Sequence, residues 1–369
     1  MTQTSDLLNQ LAELDRHPAL AAARQQRDAA TSHSQGSYLA LFSHDEADFP
    51  LTERFIIATA VARWHQDSIL SAHYAQQADH NPVAERLQLA LDHAERLTFQ
   101  PVTATAAHLA ALQQAGWTLN AIVTLSQLVA FVSFQSRVLH GLRLLSDRPV
   151  EVSGNATPGA GVWHSQPLTH GGNPAPLRFT QDQLEWEPWI AAKPLAEFDR
   201  QQQHILARFG HSDSDYFRLL GRNLPLLEQR TLTDKGIFFT SGGLPRAERE
   251  LAATVASKIN GCIYCASVHA RKAGQLAKQP EAIQRLLDVA PGQLLTEQQS
   301  PRWQAEIAFA AALSATPTGA GAQHIQALRD QGLSDLELLD LLQSAAFFAW
   351  ANRLMLTLGE PFIAQENAS

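Results

Sequence analysis

The sequence predicts an all-α protein built from two copies of one helical unit. Apolar residues recur at helical spacing along most of the chain, as in the Leu-rich stretch 336–342. Ala-rich stretches such as 305–315 also favour helix, and the alternating patterns typical of strands are scarce. Residues 108–116 match residues 324–332 without a gap, and the same offset of 216 positions relates Arg137 to Arg353. A match of this kind favours duplication over chance alignment, and it predicts two copies packed across a pseudo-twofold axis.

A segment rich in Gly and Pro separates the two copies. We expect a helical N-terminal repeat over residues 1–148, a linker over 149–180 and a helical C-terminal repeat over 181–369. His108 and His324 occupy equivalent positions in the two repeats, and we interpret both as helix-start residues rather than as a functional pair.

Composition excludes several classes of function. Of the 369 residues, 45% are hydrophobic and 17% are charged, which excludes a disordered chain. Lys and Arg number 28 against 36 Asp and Glu, a net charge of −8, so we expect no nucleic-acid partner. With 2 cysteines neither a disulfide scaffold nor a four-Cys zinc site can form within one chain. Nucleotide and flavin fingerprints are absent, so we expect no cofactor.

The apolar stretches predict a cytoplasmic protein that does not enter the membrane. The first twenty residues have no basic head and no continuous apolar run, unlike a secretory signal. The longest apolar region, 122–134, is interrupted by Thr, Ser and Gln, and we judge it too short and too polar to span a bilayer.

The second repeat holds both cysteines of the chain in one short motif. Cys262, Cys265 and His269 fall at i, i+3 and i+7, so a helix beginning near Cys262 places them on one face. Two thiols one turn apart can close a disulfide, and a helix N-terminus lowers a thiol pKa. If the chain reverses at residues 260–261, Glu250 comes level with His269, where its carboxylate can orient the imidazole.

These four residues, at these spacings, resemble the motif of the alkyl hydroperoxidase D / carboxymuconolactone decarboxylase-like superfamily. The flanking Arg-Glu-Leu, Asn-Gly-Cys and Tyr-Cys, and the tail from Asn352 to Pro361, are similar to its peroxidase-related branch. The resemblance covers residues 210–361 and reaches the N-terminal half only through the internal repeat. It implies an all-helical fold and reduction of hydroperoxides by the cysteine pair.

Carried over to this sequence, the resemblance implies a role for each residue. Cys265 attacks the peroxide and becomes a sulfenic acid, while Cys262 donates a proton to the leaving alcohol and then closes the disulfide. His269 and Glu250 form the proton relay. The helix dipole alone favours Cys262 as the nucleophile, so the order of the two cysteines stays open. Tyr264 stands where the best-studied peroxidases of the superfamily carry His, which leaves the proton route and the substrate open.

The resemblance also implies partners. A thiol–disulfide cycle needs a dithiol reductant, and we expect a lipoyl- or thioredoxin-type protein. Proteins of the superfamily bury apolar helix faces between subunits, so we expect a homo-oligomer.

A second interpretation is a metal-binding or regulatory module. In it Cys262, Cys265 and His269 hold zinc, with Glu250 or water as the fourth ligand. The peroxidase is favoured because typical structural zinc sites draw their ligands from separate elements. The decarboxylation of the superfamily's lactone branch is disfavoured because that chemistry does not need a cysteine pair.

The N-terminal repeat lacks the motif. The repeat alignment replaces all four reactive residues, whose counterparts are Phe55, Asp67, Leu70 and Tyr74. We therefore interpret this repeat as scaffold. His65, Asp67 and His73 are metal-capable residue types, and we interpret them as exposed polar residues on a helix.

Overall fold

The computed structural model describes residues 6–78, 85–163 and 166–364. These ranges are helical apart from loops and one pair of short strands, which confirms the predicted all-α class. The N-terminal half contains α1 (Leu7–Leu11), α2 (Pro18–Gln26), α3 (Asp28–Phe42), α4 (Leu51–Trp64), α5 (Ser68–Ala75), α6 (Glu85–Phe99), α7 (Ala106–Gln114) and α8 (Leu119–Leu145).

The C-terminal half begins with a strand and ends with its partner. Its helices are α9 (Arg200–Phe209), α10 (Asp215–Leu220), α11 (Leu224–Phe238), α12 (Arg246–Ile259), α13 (Ile263–Ala277), α14 (Pro280–Asp288), α15 (Pro301–Ser314), α16 (Ala322–Asp330) and α17 (Asp335–Thr357). Strands β1 (Glu185–Pro188) and β2 (Gly359–Phe362) pair antiparallel, with Glu185 opposite Phe362. This strand pair was not predicted.

The helices of the two halves correspond in order. α3, α4 and α5 recur as α11, α12 and α13, and α6, α7 and α8 recur as α15, α16 and α17. Counterparts lie 195 or 196 positions apart in the first three pairs and 216 apart in the last three. The offset increases because the second half carries the additional helix α14 and the loop after it. This correspondence supports the predicted duplication.

Helix pairs from opposite halves meet at the pseudo-twofold axis. α3 packs against α11, and α8 packs against α17. His33 on α3 donates from Nδ1 to Gln229 Oε1 on α11 at 2.8 Å, and these two residues are counterparts. Gly236 permits the close approach, because a Cβ there would lie 2.4 Å from the backbone nitrogen of Ala30. A residue that contacts its own counterpart marks a twofold axis.

Two buried arginines bind the halves to each other reciprocally. Arg137 on α8 donates to the carbonyl oxygen of Ser314 at 3.3 Å, and Arg353 on α17 donates to that of Thr98 at 2.8 Å. Ser314 and Thr98 are related by the same offset as the two arginines. Each half therefore extends an equivalent side chain into the other.

The Gly- and Pro-rich segment between the halves packs against the second half. The Gly161 N–H donates to the Lys258 carbonyl oxygen at 3.0 Å, and the Ala160 N–H donates to that of Gln293 at 2.8 Å. The buried Lys258 ammonium lies 4.1 Å from the centre of the Phe179 ring. The described part of this segment thus lies along α12, the helix that precedes the cysteines.

Helix α8 corrects one prediction about the apolar region 122–134. The helix runs for 27 residues, so within the described chain it is the one helix long and apolar enough to cross a bilayer. Judging the region too short and too polar was wrong by length and composition, because the helix extends beyond the region and contains an 18-residue window with a mean hydropathy of 1.4. Its most apolar window is entirely buried inside the protein, where it packs against α17, α4 and α6.

The two predicted helix-start histidines have the same local role. His108 Nδ1 accepts from the Thr105 N–H, and His324 Nδ1 accepts from the Gly321 N–H, both at 3.1 Å. Each imidazole satisfies a donor that the first turn of its helix leaves unpaired.

Candidate active site

The turn between α12 and α13 brings the four predicted site residues together. α12 ends at Ile259, and Gly261 then reverses the chain with a φ of +76°. A Cβ on Gly261 would lie 2.0 Å from the carbonyl oxygen of Val162, so the turn requires glycine. Cys262 occupies the N-cap of α13, which places Cys265 in the first turn of the helix. The two helices then run side by side.

Both cysteines are reduced and buried. Cys262 is 1% exposed and Cys265 is 5% exposed. A hydrogen bond from the Cys262 thiol lowers the pKa of Cys265 against the opposing effect of burial, and the nearby His269 lowers it further. Burial and the adjacent Cys265 raise the pKa of Cys262. The electrostatics therefore favour Cys265 as the thiolate, whereas the helix dipole alone favours Cys262.

Glu250 and His269 form a tight pair across the two helices. Glu250 Oε2 lies 2.5 Å from His269 Nδ1, and Oε1 lies 2.5 Å from Arg246 Nε. Burial alone would lower the pKa of His269, but the hydrogen bond and negative charge of Glu250 raise it overall. Burial alone would raise the pKa of Glu250, but its two cationic partners lower it overall. The carboxylate thus accepts from Nδ1–H and fixes the orientation of the imidazole.

Aromatic rings fix the imidazole in place. The Phe348 ring meets the His269 ring edge-on, with the centroids 4.5 Å apart, and the Phe238 ring lies 5.8 Å away. The His269 side chain nevertheless keeps 20% of its surface exposed. The imidazole is therefore only partly shielded from solvent.

The site also contains an asparagine that the motif did not indicate. Asn352 on α17 donates to Ser257 Oγ at 3.0 Å and accepts from Asn260 Nδ2 at 3.0 Å. Its side chain also hydrogen-bonds the thiols and lowers the pKa of each. The sequence did contain a signal, since Asn352 begins the tail similar to the peroxidase-related branch.

Tyr264 directly precedes Cys265 in the first turn of α13. Its side chain is partly buried, and burial raises its pKa to about 12. A phenol with that pKa keeps its proton at neutral pH, so Tyr264 does not replace an imidazole as a base.

A family model matches the helices that carry this site. Residues 225–291, from α11 to just beyond α14, match the carboxymuconolactone decarboxylase family. The match confirms, for this segment, the predicted resemblance to the alkyl hydroperoxidase D / carboxymuconolactone decarboxylase-like superfamily. We call residues 225–291 the superfamily segment. The superfamily segment contains Glu250, both cysteines and His269, whereas Asn352 lies outside it.

A solved structure is similar to part of the chain. It is a protein from Ralstonia eutropha described as an alkylhydroperoxidase AhpD core and an uncharacterized peroxidase-related protein. It is 22% identical, covers 44% of this chain and 86% of its own, and has a TM-score of 0.37. No curated protein matches the chain.

The superfamily segment does not support the zinc interpretation. Within the described ranges no three His, Cys, Asp or Glu side chains are grouped so that they could hold a metal ion. Glu250, one of the two candidates for the fourth ligand, is engaged instead by His269 and Arg246.

The N-terminal counterpart of the superfamily site is filled by aromatic rings. The Phe42 ring lies 5.0 Å from both the Phe55 and the Tyr74 ring, and the Tyr74 hydroxyl donates to Gln135. Asp67, the counterpart of Cys262, caps α5 by accepting from the Leu70 N–H at 2.9 Å. Packing and capping groups thus occupy all four positions.

We expected His65, Asp67 and His73, near the turn between α4 and α5, to be exposed on a helix. The structure does not expose them. His65 is buried at the end of α4, with Nε2 2.9 Å from Ser133 Oγ. His73 Nε2 lies 3.0 Å from the Tyr38 hydroxyl. The prediction of exposed residues was wrong: His65 is buried, and Asp67 and His73 are partly buried. Each of the three side chains has a hydrogen-bond partner within the first half.

Proposed function

We propose that the protein is a cysteine-dependent peroxidase that reduces hydroperoxides through Cys262 and Cys265. One observation carries the proposal: the two buried thiols are hydrogen-bonded at a helix N-terminus, beside the Glu250–His269 pair. This combination supplies a nucleophile, a resolving thiol and a proton relay within one helical hairpin. Decarboxylation would use the acid–base pair alone and would leave the thiols without a role.

The proposed cycle balances with one hydroperoxide and one dithiol. The Cys265 thiolate attacks the terminal peroxide oxygen, the O–O bond breaks, and Cys265 becomes a sulfenic acid. Cys262 protonates the departing alkoxide, and His269 replaces that proton from the relay or solvent. The Cys262 sulfur then displaces water from the sulfenic acid and closes the disulfide. A dithiol reduces the disulfide back to two thiols and is itself oxidised.

The reductant we propose is a lipoyl- or thioredoxin-type dithiol. Such partners attack a disulfide sulfur directly, and the partly exposed His269 side chain marks where the site approaches the surface. The thiols themselves are almost fully buried. The reductant is therefore selected by whether its thiol can reach the disulfide.

The test compares wild type with Cys265→Ser. Consumption of cumene hydroperoxide and of hydrogen peroxide is followed with dihydrolipoamide, thioredoxin or dithiothreitol as donor. We expect turnover in wild type, none in the variant, and a loss of two hydrogens on stoichiometric oxidation, seen by mass spectrometry. Turnover that survives Cys265→Ser, or intermolecular disulfides in place of the internal one, would refute the proposal.

A further inference from the structure

The carboxylate of the relay has two cationic partners, one on each oxygen. Arg246, the first residue of α12, places Nε 2.5 Å from Glu250 Oε1, and His269 Nδ1 lies at the same distance from Oε2. Glu250 is 1% exposed, so these partners take the place of water around its charge. Each partner therefore weakens the attraction that the carboxylate exerts on the other.

The stability of α12 does not account for Arg246. The N-terminus of a helix carries a partial positive charge, which disfavours a cation in the first turn. An ion pair four residues apart on a helix is also weaker when the cation, rather than the anion, comes first in the sequence. The position of Arg246 therefore indicates a role at the site rather than in the helix.

The chain before α12 holds the guanidinium in place. Arg246 Nη1 donates to the carbonyl oxygen of Phe238. Its central carbon lies 4.3 Å from the centre of the Phe239 ring and 5.4 Å from that of the Phe238 ring, which also packs against His269. Both the carbonyl oxygen and the ring faces attract a cation. These contacts fix Arg246 against Glu250, unlike the partners of a flexible surface ion pair.

The N-terminal half distinguishes Arg246 from a structural arginine on the same helix. Arg249 donates to the carbonyl oxygen of Ile237 at 3.1 Å, and its counterpart Arg54 donates to the equivalent carbonyl oxygen at 2.9 Å. The counterpart of Arg246 is Leu51, in the half that lacks the relay carboxylate. The structural arginine thus occurs in both halves, whereas Arg246 occurs only beside the thiol site.

We propose that Arg246 is a positioning residue of the relay, which takes up part of the negative charge of Glu250 so that His269 can release its proton. This inference rests on the proposed function, in which His269 supplies a proton to the site. Beside a carboxylate with no other partner, the imidazole would hold its proton more firmly, and a general acid works best when its pKa lies near the working pH. The remaining groups around His269 are Cys265 on α13, Asp234 and Arg230 on α11, and the ring of Phe348 on α17.

The test measures the pKa of His269 directly and does not depend on peroxide turnover. The full-length protein is labelled with ¹³C at histidine, and the imidazole signals are followed by NMR across a pH series. The chain has 15 histidines, and His269→Ala identifies the signal of His269. We expect the pKa of His269 to rise by roughly one unit in Arg246→Met, because the cation that shares its carboxylate is gone. Arg246→Lys keeps the charge and should stay closer to wild type.

Arg302→Met is the matched control. The Arg302 side chain is 30% exposed against 28% for Arg246, and its Nη2 lies 2.8 Å from Glu248 on the same helix as Glu250. This variant therefore removes a similar guanidinium from a carboxylate outside the relay, and the pKa of His269 should not move.

An unchanged or lowered pKa of His269 in Arg246→Met would overturn the proposal, and Arg246→Gln takes its place should that variant not fold. An equal rise in Arg246→Lys or in Arg302→Met would also overturn it, because sharing of the carboxylate charge would then not be the cause. Peroxide assays keep this inference apart from the proposed function. If the pKa rises but wild type consumes no peroxide, the role of Arg246 stands and the proposed function fails. If peroxide is consumed and the pKa does not move, the proposed function stands and the role of Arg246 fails.

Discussion

Glu250 determines the charge next to the thiols. Its carboxylate raises the pKa of His269, so the imidazole holds its proton at pH values where a free histidine has begun to lose it. The imidazolium in turn lowers the pKa of Cys265. Removing either Glu250 or His269 should therefore raise the pKa of Cys265 although the cysteine itself is not substituted.

We predict that Glu250→Gln and His269→Ala slow peroxide reduction by roughly 10- to 1,000-fold, the usual scale of a proton-transfer contribution. In Glu250→Gln the pKa of His269 should fall, because the anion that raises it is gone, and Cys265 loses its cationic neighbour near neutral pH. Stopped-flow peroxide consumption measures the rate. Glu248→Gln is the matched control, because Glu248 lies on the same helix but pairs with Arg302 at 2.8 Å. Equal rates in Glu250→Gln and wild type would mean that another group activates the cysteines.

The sequence predicted the part of the site that lies within one hairpin. The Asn-Gly pair indicated the turn, and helical periodicity then placed Glu250 level with His269. Asn352 could not be located in this way, because it comes from α17. Its approach to the thiols depends on how that helix packs, and local spacing does not carry that information.

At the scale of elements, the hairpin of α12 and α13 depends on one left-handed residue. Gly261 has a positive φ and lies against the Val162 carbonyl, so the packed segment between the halves also fixes the turn that presents Cys262. The backbone geometry at the turn and the position of Cys262 are therefore linked.

A side chain held in a left-handed conformation costs roughly 1–3 kcal/mol. We predict that Gly261→Ala lowers the free energy of unfolding by more than this. The excess arises because Val162 must move. Gly332→Ala is the control, since Gly332 has a φ of +80° with nothing within 4 Å of an added Cβ. Urea unfolding of both variants gives the comparison, and equal losses would show that the contact with Val162 is unimportant.

The equivalent hairpin of α4 and α5 should be chemically silent. Asp67→Ala removes a helix cap and should cost about 0.5–2 kcal/mol of stability, while Tyr74→Phe removes one buried hydrogen bond. Neither should change the alkylation rate of Cys265, whereas Cys265→Ser abolishes it. Loss of thiol reactivity in Asp67→Ala, with stability and assembly unchanged, would show that the first repeat contributes directly to the active site.

At the scale of the whole molecule, each half covers the apolar face of the other. α8 and α17 pack together at the centre, and the reciprocal contacts of Arg137 and Arg353 close the same interface. We further propose that the protein associates into a homo-oligomer, with fewer chains than a single helical unit would need.

We predict that a fragment of residues 181–369 aggregates or changes its association state, because it exposes the face that the first half covers. Light scattering on the fragment and on the full chain at micromolar concentration measures both claims. A well-behaved monomeric fragment would contradict the first claim, and a monomeric full chain would contradict the second.

Because the reciprocal arginine contacts lie within one chain, they respond differently to protein concentration and to mutation than contacts between separate subunits do. Two separate subunits exchange such contacts only above their dissociation constant, whereas here the second partner is tethered and its effective concentration is fixed by the chain. The interface between the two halves therefore remains assembled at any protein concentration. Tethering also makes the two copies independent in sequence, because a mutation alters one half alone. One hairpin can therefore lose its reactive residues and keep only a packing role, while the other keeps its cysteines.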